Sequence, residues 1–139
     1  MEYWIRHRPT DPREDPNFRA DLIIANGTLP SDVFSKPRAF FVDYDNYKGG
    51  GKLSADMLSK MQGNPDLEVT VYRGAPGSTL HTGDWVSLSK DYAICYTGNG
   101  INCEDPSSTL HSYRVKAKDL SFDGDSIFEL GYWGSDIEE

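Results

Sequence analysis

From Leu67 onward, apolar and polar positions alternate in short runs. Leu67-Glu68-Val69-Thr70-Val71-Tyr72 and His111-Ser112-Tyr113-Arg114-Val115-Lys116 put every second side chain on one face, the pattern of half-buried strands. Asp84-Trp85-Val86-Ser87-Leu88 is a shorter run, and the stretch from Ser126 to Leu130 predicts a further strand. Between them, Ser89 is placed to cap a helix from Lys90 to Tyr96 that stops at Gly98, with Asp91 near its positive end.

Ahead of Leu67 the period changes. Leu53, Met57, Leu58 and Met61 recur at helical spacing, predicting a helix from Ser54 to Met61 with those four on one face. The preceding Tyr47-Lys48-Gly49-Gly50-Gly51-Lys52 predicts a flexible connector. It is not expected to cradle phosphate, because no Gly-Lys-Ser/Thr follows its glycines after a strand. An apolar patch from Asp21 to Phe34, including Leu29 and Val33 and broken at Gly27 and Pro30, predicts a short helix and a loop. Ala39 to Tyr44 reads as a strand or a buried turn. The first 20 residues carry three prolines and alternating charges, which predicts an irregular arm docked through Tyr3, Trp4 and Phe18. No internal repeat or low-complexity segment interrupts this α+β pattern.

With 139 residues, 37% of them apolar and 12% aromatic, the chain suffices for one modest core, so residues 1–139 are expected to form a single domain. A net charge of -8 and a pI near 4.8 repel nucleic acid at long range, which disfavours a nucleic-acid scaffold. A small anionic ligand is still compatible if an arginine points into a cleft. There is no apolar run of membrane-spanning length and no signal-peptide pattern. A cytoplasmic protein without a membrane partner is therefore expected, with Cys95 and Cys103 reduced and a bridge between them the alternative. Asn26-Gly27-Thr28 then reads as a turn. Metal is not expected. Asp43, Asp45 and Asn46 begin like a calcium loop, but Lys48 replaces its glycine, and His7, His81 and His111 lack ligand spacing and suit surface or hydrogen-bonding roles. No Gly-x-Ser-x-Gly elbow occurs, and Cys95 falls mid-helix in an apolar context.

What remains is an ordered trio at strand positions: Arg73 closing Val69-Thr70-Val71-Tyr72-Arg73-Gly74, Ser87 in Trp85-Val86-Ser87-Leu88-Ser89, and Glu129 in Phe128-Glu129-Leu130-Gly131-Tyr132. Breaking a glycosidic bond develops positive charge on the sugar, which a carboxylate such as Glu129 stabilises. The planar fork of Arg73 suits a pyrophosphate or the neighbouring ribose, and the Ser87 hydroxyl can hold the glutamate or a ribose in register.

Over Leu67 to Trp133, about half the chain, the sequence resembles the ADP-ribosyltransferase family of the arginine–serine–glutamate type, as a small phage-encoded or bacterial member. The first 66 residues are similar, more loosely, to the leader of some phage-encoded members. The resemblance implies two small antiparallel or mixed sheets forming an NAD cleft (67–133) behind a leader with short helices (1–66). It implies NAD as substrate, with Glu129, Ser87 and Arg73 catalytic and Arg73, Gly74, Ser87, Ser89 and Tyr92 contacting the dinucleotide. Tyr72, Tyr92, Tyr96, Tyr132 and Trp133 are candidates for a ring that stacks on nicotinamide.

One departure from the family concerns the acceptor. Arginine-modifying members carry a second acidic residue two places before the glutamate, where this chain has Ile127, so arginine modification is not expected. Three alternatives follow: the acceptor activates itself, another acidic residue such as Asp123 or Asp125 substitutes, or water is the acceptor. The expected activity is mono-ADP-ribosyl transfer to a macromolecule, protein favoured over nucleic acid, in the cytoplasm of the source cell or of a host. The alternatives are an NAD glycohydrolase and a catalytically degenerate binding or virion-associated module on the same fold.

Overall fold

The structure is a computed structural model and describes residues 9–27, 46–98, 100, 105–123 and 126–139. The expectations for Tyr3, Trp4, His7, Leu29, Val33, Ala39 to Tyr44, Asp43, Asp45, Cys103 and Asp125 lie outside the described residues. The architecture is α+β, with few helices and small antiparallel sheets.

The described strands are short except for two. β1 (Glu68–Ala75) and β4 (Thr109–Lys116) pair antiparallel along their whole length, from Glu68↔Lys116 to Ala75↔Thr109. Their alternation has the expected effect: Val69 and Val71 on β1, and His111, Tyr113 and Val115 on β4, are buried. A three-stranded sheet has the order β3 (Trp85–Val86), β6 (Leu130–Tyr132), β5 (Leu120–Ser121), all antiparallel. β2 (Thr79–Leu80) pairs with β7 (Ile137–Glu138). A single bridge, Tyr72↔Ser87, joins the long pair to the three-stranded sheet.

Helix α1 (Asn46–Met61) corrects two expectations. The glycine run expected to be a connector lies within the helical span. Each interior glycine costs about 1 kcal/mol relative to alanine, and burial of Gly50 and Gly51 offsets part of that cost. Gly49 has φ 80°, a left-handed value that glycine adopts freely, and the helix is irregular there. The buried face also differs: Ser54, Ala55, Leu58 and Met61 point inward while Leu53 is 63% exposed. Leu53 lies on the opposite side of a 3.6-residue turn from Leu58, and the small side chains at 54 and 55 allow the closer approach.

Among residues 9–27, two single 3-10 turns, Pro16–Phe18 and Ala20–Leu22, stand where an irregular arm and then a short helix from Asp21 were expected, and Ala20 and Ile23 join the core. Asp21 is buried and accepts from Arg19 Nε and Nη2, each at 2.7 Å, which raises the Arg19 pKa. Gln62 links this turn to the end of α1, donating to Ala20 O and Leu58 O and accepting from Ile24 N. Phe122, Phe128, Leu120 and Leu130 from the β5–β6 region close over Leu58, Met61, Val69 and Val71 to form the core. Each fully buried side chain of this size contributes about 1.5–3 kcal/mol.

Gly131 sits where the arm crosses β6. A Cβ there would lie 2.3 Å from Pro9 Cβ and 2.5 Å from Ser121 Oγ, and that hydroxyl already accepts from Trp133 Nε1. Gly131→Ala is expected to cost about 1–3 kcal/mol through this overpacking, read as a lower denaturation midpoint with an unchanged denaturant slope.

Candidate active site

Arg73, Ser87 and Glu129 line one cleft of about 310 Å³, at the small end of the roughly 300–1,000 Å³ typical of small-molecule sites. Four segments form its walls. β1 contributes Tyr72, Arg73 and Gly74, and the β3 segment contributes Trp85, Val86 and Ser87. α2 (Lys90–Ile94) and the turn after it contribute Tyr92, Ala93 and Tyr96, and Glu129 closes the ring.

The Tyr72↔Ser87 bridge fixes the first two walls, with Tyr72 N donating to Ser87 O at 2.8 Å and Ser87 N to Tyr72 O at 2.9 Å. Beside it, Arg73 Nη1 donates to Trp85 O at 2.7 Å, and Arg73 Nε lies 3.7 Å from Asp84 Oδ2. The guanidinium is thus held by β3 on one edge and borders the cleft. Ser87 is buried, and its Oγ accepts from Ser89 N at 3.0 Å. No acceptor for its own proton is present among the described residues.

Ser89 caps α2 as expected, its Oγ accepting from Tyr92 N at 3.1 Å, with Asp91 in the first turn. It does not line the cleft. The helix is shorter than expected, ending at Ile94 with Cys95 as its C-cap, so Cys95 is not mid-helix, and its thiol faces Asp91 O at 3.7 Å. Gly74 admits α2 to β1: a Cβ on it would lie 2.8 Å from Ala93 O and 3.0 Å from Tyr96 Cβ. Close packing is therefore a second, structural demand on that glycine.

Glu129 departs from expectation in its backbone and its partner. The stretch from Ser126 to Glu129 is not a strand. It turns, with Phe128 N donating to Ser126 Oγ at 3.2 Å, and β6 begins at Leu130. Ile127 and Phe128 are buried, while Glu129 between Phe128 and Leu130 is half-buried against the cleft. The recorded partner of its carboxylate is Tyr92, whose hydroxyl donates to Oε1 at 2.5 Å; no bond joins it to Ser87. The Tyr92 hydroxyl also meets that of Tyr96 at 3.0 Å, and its ring stacks on Phe128 with centroids 5.0 Å apart. Asp123 accepts from Thr10 N with both oxygens and so ties down the arm.

Of the candidate stacking rings, Tyr72, Tyr92 and Tyr96 border the cleft and Tyr132 and Trp133 do not. Tyr132 is buried and donates to Ser135 O, and Trp133 bonds Ser121 and receives the Arg13 guanidinium over its ring. Trp85 also borders the cleft and was not among the expected aromatics. Its place two residues before Ser87 was the available signal, since a strand puts such residues on one face. His81 and His111 bond Asp136 and Glu139. Among the described residues no group of His, Cys, Asp and Glu is placed to hold a metal, and no helix is long and apolar enough to cross a membrane.

Burial, followed by the bonds to Glu129 and Tyr96, holds the Tyr92 phenol far above its usual 10.0, and burial similarly raises Tyr113 and Tyr132. A raised folded-state value gives stability that is complete below pH 10.0 and declines above it, because the unfolded phenol ionises while the folded one keeps its proton. Denaturant melts at pH 8 and pH 11 should therefore show a stability loss at the higher pH that is smaller in Tyr92→Phe. Compared with known proteins, the chain matches no family model, no curated protein and no solved structure.

Proposed function

We propose that the cleft binds NAD and that the protein is an NAD-dependent ADP-ribosyltransferase, splitting the nicotinamide–ribose bond and passing ADP-ribose to a macromolecule. The observation that carries this reading is the convergence of Arg73, Ser87 and Glu129, the ordered trio of the sequence, on one cleft. Taken singly, such residues are common at strand ends and helix caps. Their meeting in one aromatic-walled pocket is what favours chemistry on a charged, ring-bearing ligand.

Each residue has a role that its surroundings permit. Arg73, already oriented by Trp85 O, presents its remaining donors to the pyrophosphate or the adjoining ribose. Ser87 offers its hydroxyl proton to a ribose oxygen. Glu129 faces the sugar as the C–N bond opens: the bonding pair leaves with the nicotinamide nitrogen, which becomes neutral, and the carboxylate stabilises the cationic sugar. The acceptor's lone pair then forms the new bond and its proton passes to solvent. With Ile127 in the core, no second acidic side chain stands at that position, so the acceptor is one that needs little activation. A net charge of -8 favours a basic protein surface over duplex nucleic acid as the acceptor.

The test is nicotinamide release from NAD by purified protein and by Glu129→Gln, both checked for a normal thermal melt. Wild type should release nicotinamide, and the variant should lose about 100-fold or more in kcat with little change in KM. Wild-type turnover in a folded Glu129→Gln protein would remove the glutamate from its role. Calorimetric binding of NAD with no nicotinamide after long incubation would assign the cleft to binding alone.

A further inference from the structure

We propose that Tyr92 is the positioning residue of this cleft: its hydroxyl fixes the Glu129 carboxylate for reaction, and Tyr96 in turn fixes Tyr92. The inference rests on the reading of Glu129 as the reacting carboxylate, and it replaces the expectation that Tyr92 contacts the dinucleotide.

The direction of the chain follows from counting protons. A phenol has one, and an ionised carboxylate can only accept. Tyr92 therefore spends its proton on Glu129 Oε1 at 2.5 Å, and the 3.0 Å contact between the two tyrosines must run with Tyr96 donating to Tyr92. The order Tyr96 to Tyr92 to Glu129 leaves no donor on Tyr92 for a ligand. Oε2 of Glu129 carries no hydrogen bond among the described residues and remains for the sugar.

The ring of Tyr92 is held as firmly as its hydroxyl. It lies nearly parallel to Phe128, with an interplanar angle of 8°, and Phe128 is a buried residue directly before Glu129 in the chain. That stack occupies one face of the ring, which argues against a stacking role for Tyr92 toward nicotinamide. At the other end, α2 is seated on β1 by the missing Cβ of Gly74 and capped by Ser89. The carboxylate of a half-buried glutamate just outside a strand has three torsions to settle. A rigid phenol anchored at the ring, the helix and the hydroxyl settles them. The demand is strict, since a misplacement of about 1 Å can cost roughly 100-fold in rate.

Tyr92→Phe keeps the ring and its stack and removes only the hydroxyl. In steady-state nicotinamide release it is expected to lower kcat about 10- to 100-fold, with KM for NAD within about twofold of wild type. Combined with Glu129→Gln, it should add little to the loss from Glu129→Gln alone, because the phenol acts through the carboxylate. Tyr96→Phe leaves the bond to Glu129 in place and should cost about threefold in kcat. It also carries the test if Tyr92→Phe fails to fold. A folded Tyr92→Phe with wild-type kcat, a double variant whose losses multiply, or an unaffected Tyr96→Phe standing in for an unfolded Tyr92→Phe would overturn the proposal while wild type still turns over. Absence of nicotinamide release from wild type would overturn the reading of the site, and this proposal with it.

Discussion

Two backbone hydrogen bonds between Tyr72 and Ser87 hold the candidate site together, because they join the β1–β4 pair to the sheet of β3, β6 and β5. Each bond contributes only about 1 kcal/mol net, but their geometric effect is larger. They set Arg73 beside Trp85 and put Ser87 across from α2, while the β3–β6 pairing of Val86 with Leu130 brings the residue before Leu130, Glu129, to the same opening. A one-residue slip in that bridge would exchange inward and outward side chains on β3 and take Ser87 out of the cleft.

The polar groups in the cleft are mostly committed to one another. Arg73 is tied to β3, Ser87 accepts from Ser89, and Glu129 accepts from Tyr92. Groups held in this way need little reorganisation when charge develops on a substrate, the condition under which electrostatic stabilisation is largest. Asp84, 3.7 Å from Arg73 Nε, balances part of the guanidinium charge and keeps it oriented in an otherwise acidic chain.

The strands of the C-terminal half were legible because a half-buried strand shows its period of two directly, as at Val69, Val71, Tyr113 and Val115. The cap at Ser89 was legible because its chemistry is local. The glycine run of α1 was not, since it is helical where Gly50 and Gly51 are buried, and propensity does not encode burial. Leu53 misled for the related reason that Ser54 and Ala55 claim the inward face by being small. Within the site, the trio could be picked out residue by residue, but the partner of Glu129 could not. Tyr92 reaches it across 37 residues of chain, through a helix seated by Gly74 and a turn shaped by Ser126. The turn itself carries a strand-like pattern, because buried Ile127 and Phe128 look the same in either conformation.

The measurement that tests the central claim most directly is a titration of isotope-labelled protein with NAD, followed by amide and side-chain NMR resonances. One cleft built from four segments predicts saturable shifts at Arg73, Gly74, Ser87, Tyr92 and Glu129 together, with those of the outlying His81–Asp136 pair small. Absence of shifts at NAD concentrations well above a millimolar Kd, or shifts centred away from the cleft residues, would contradict it.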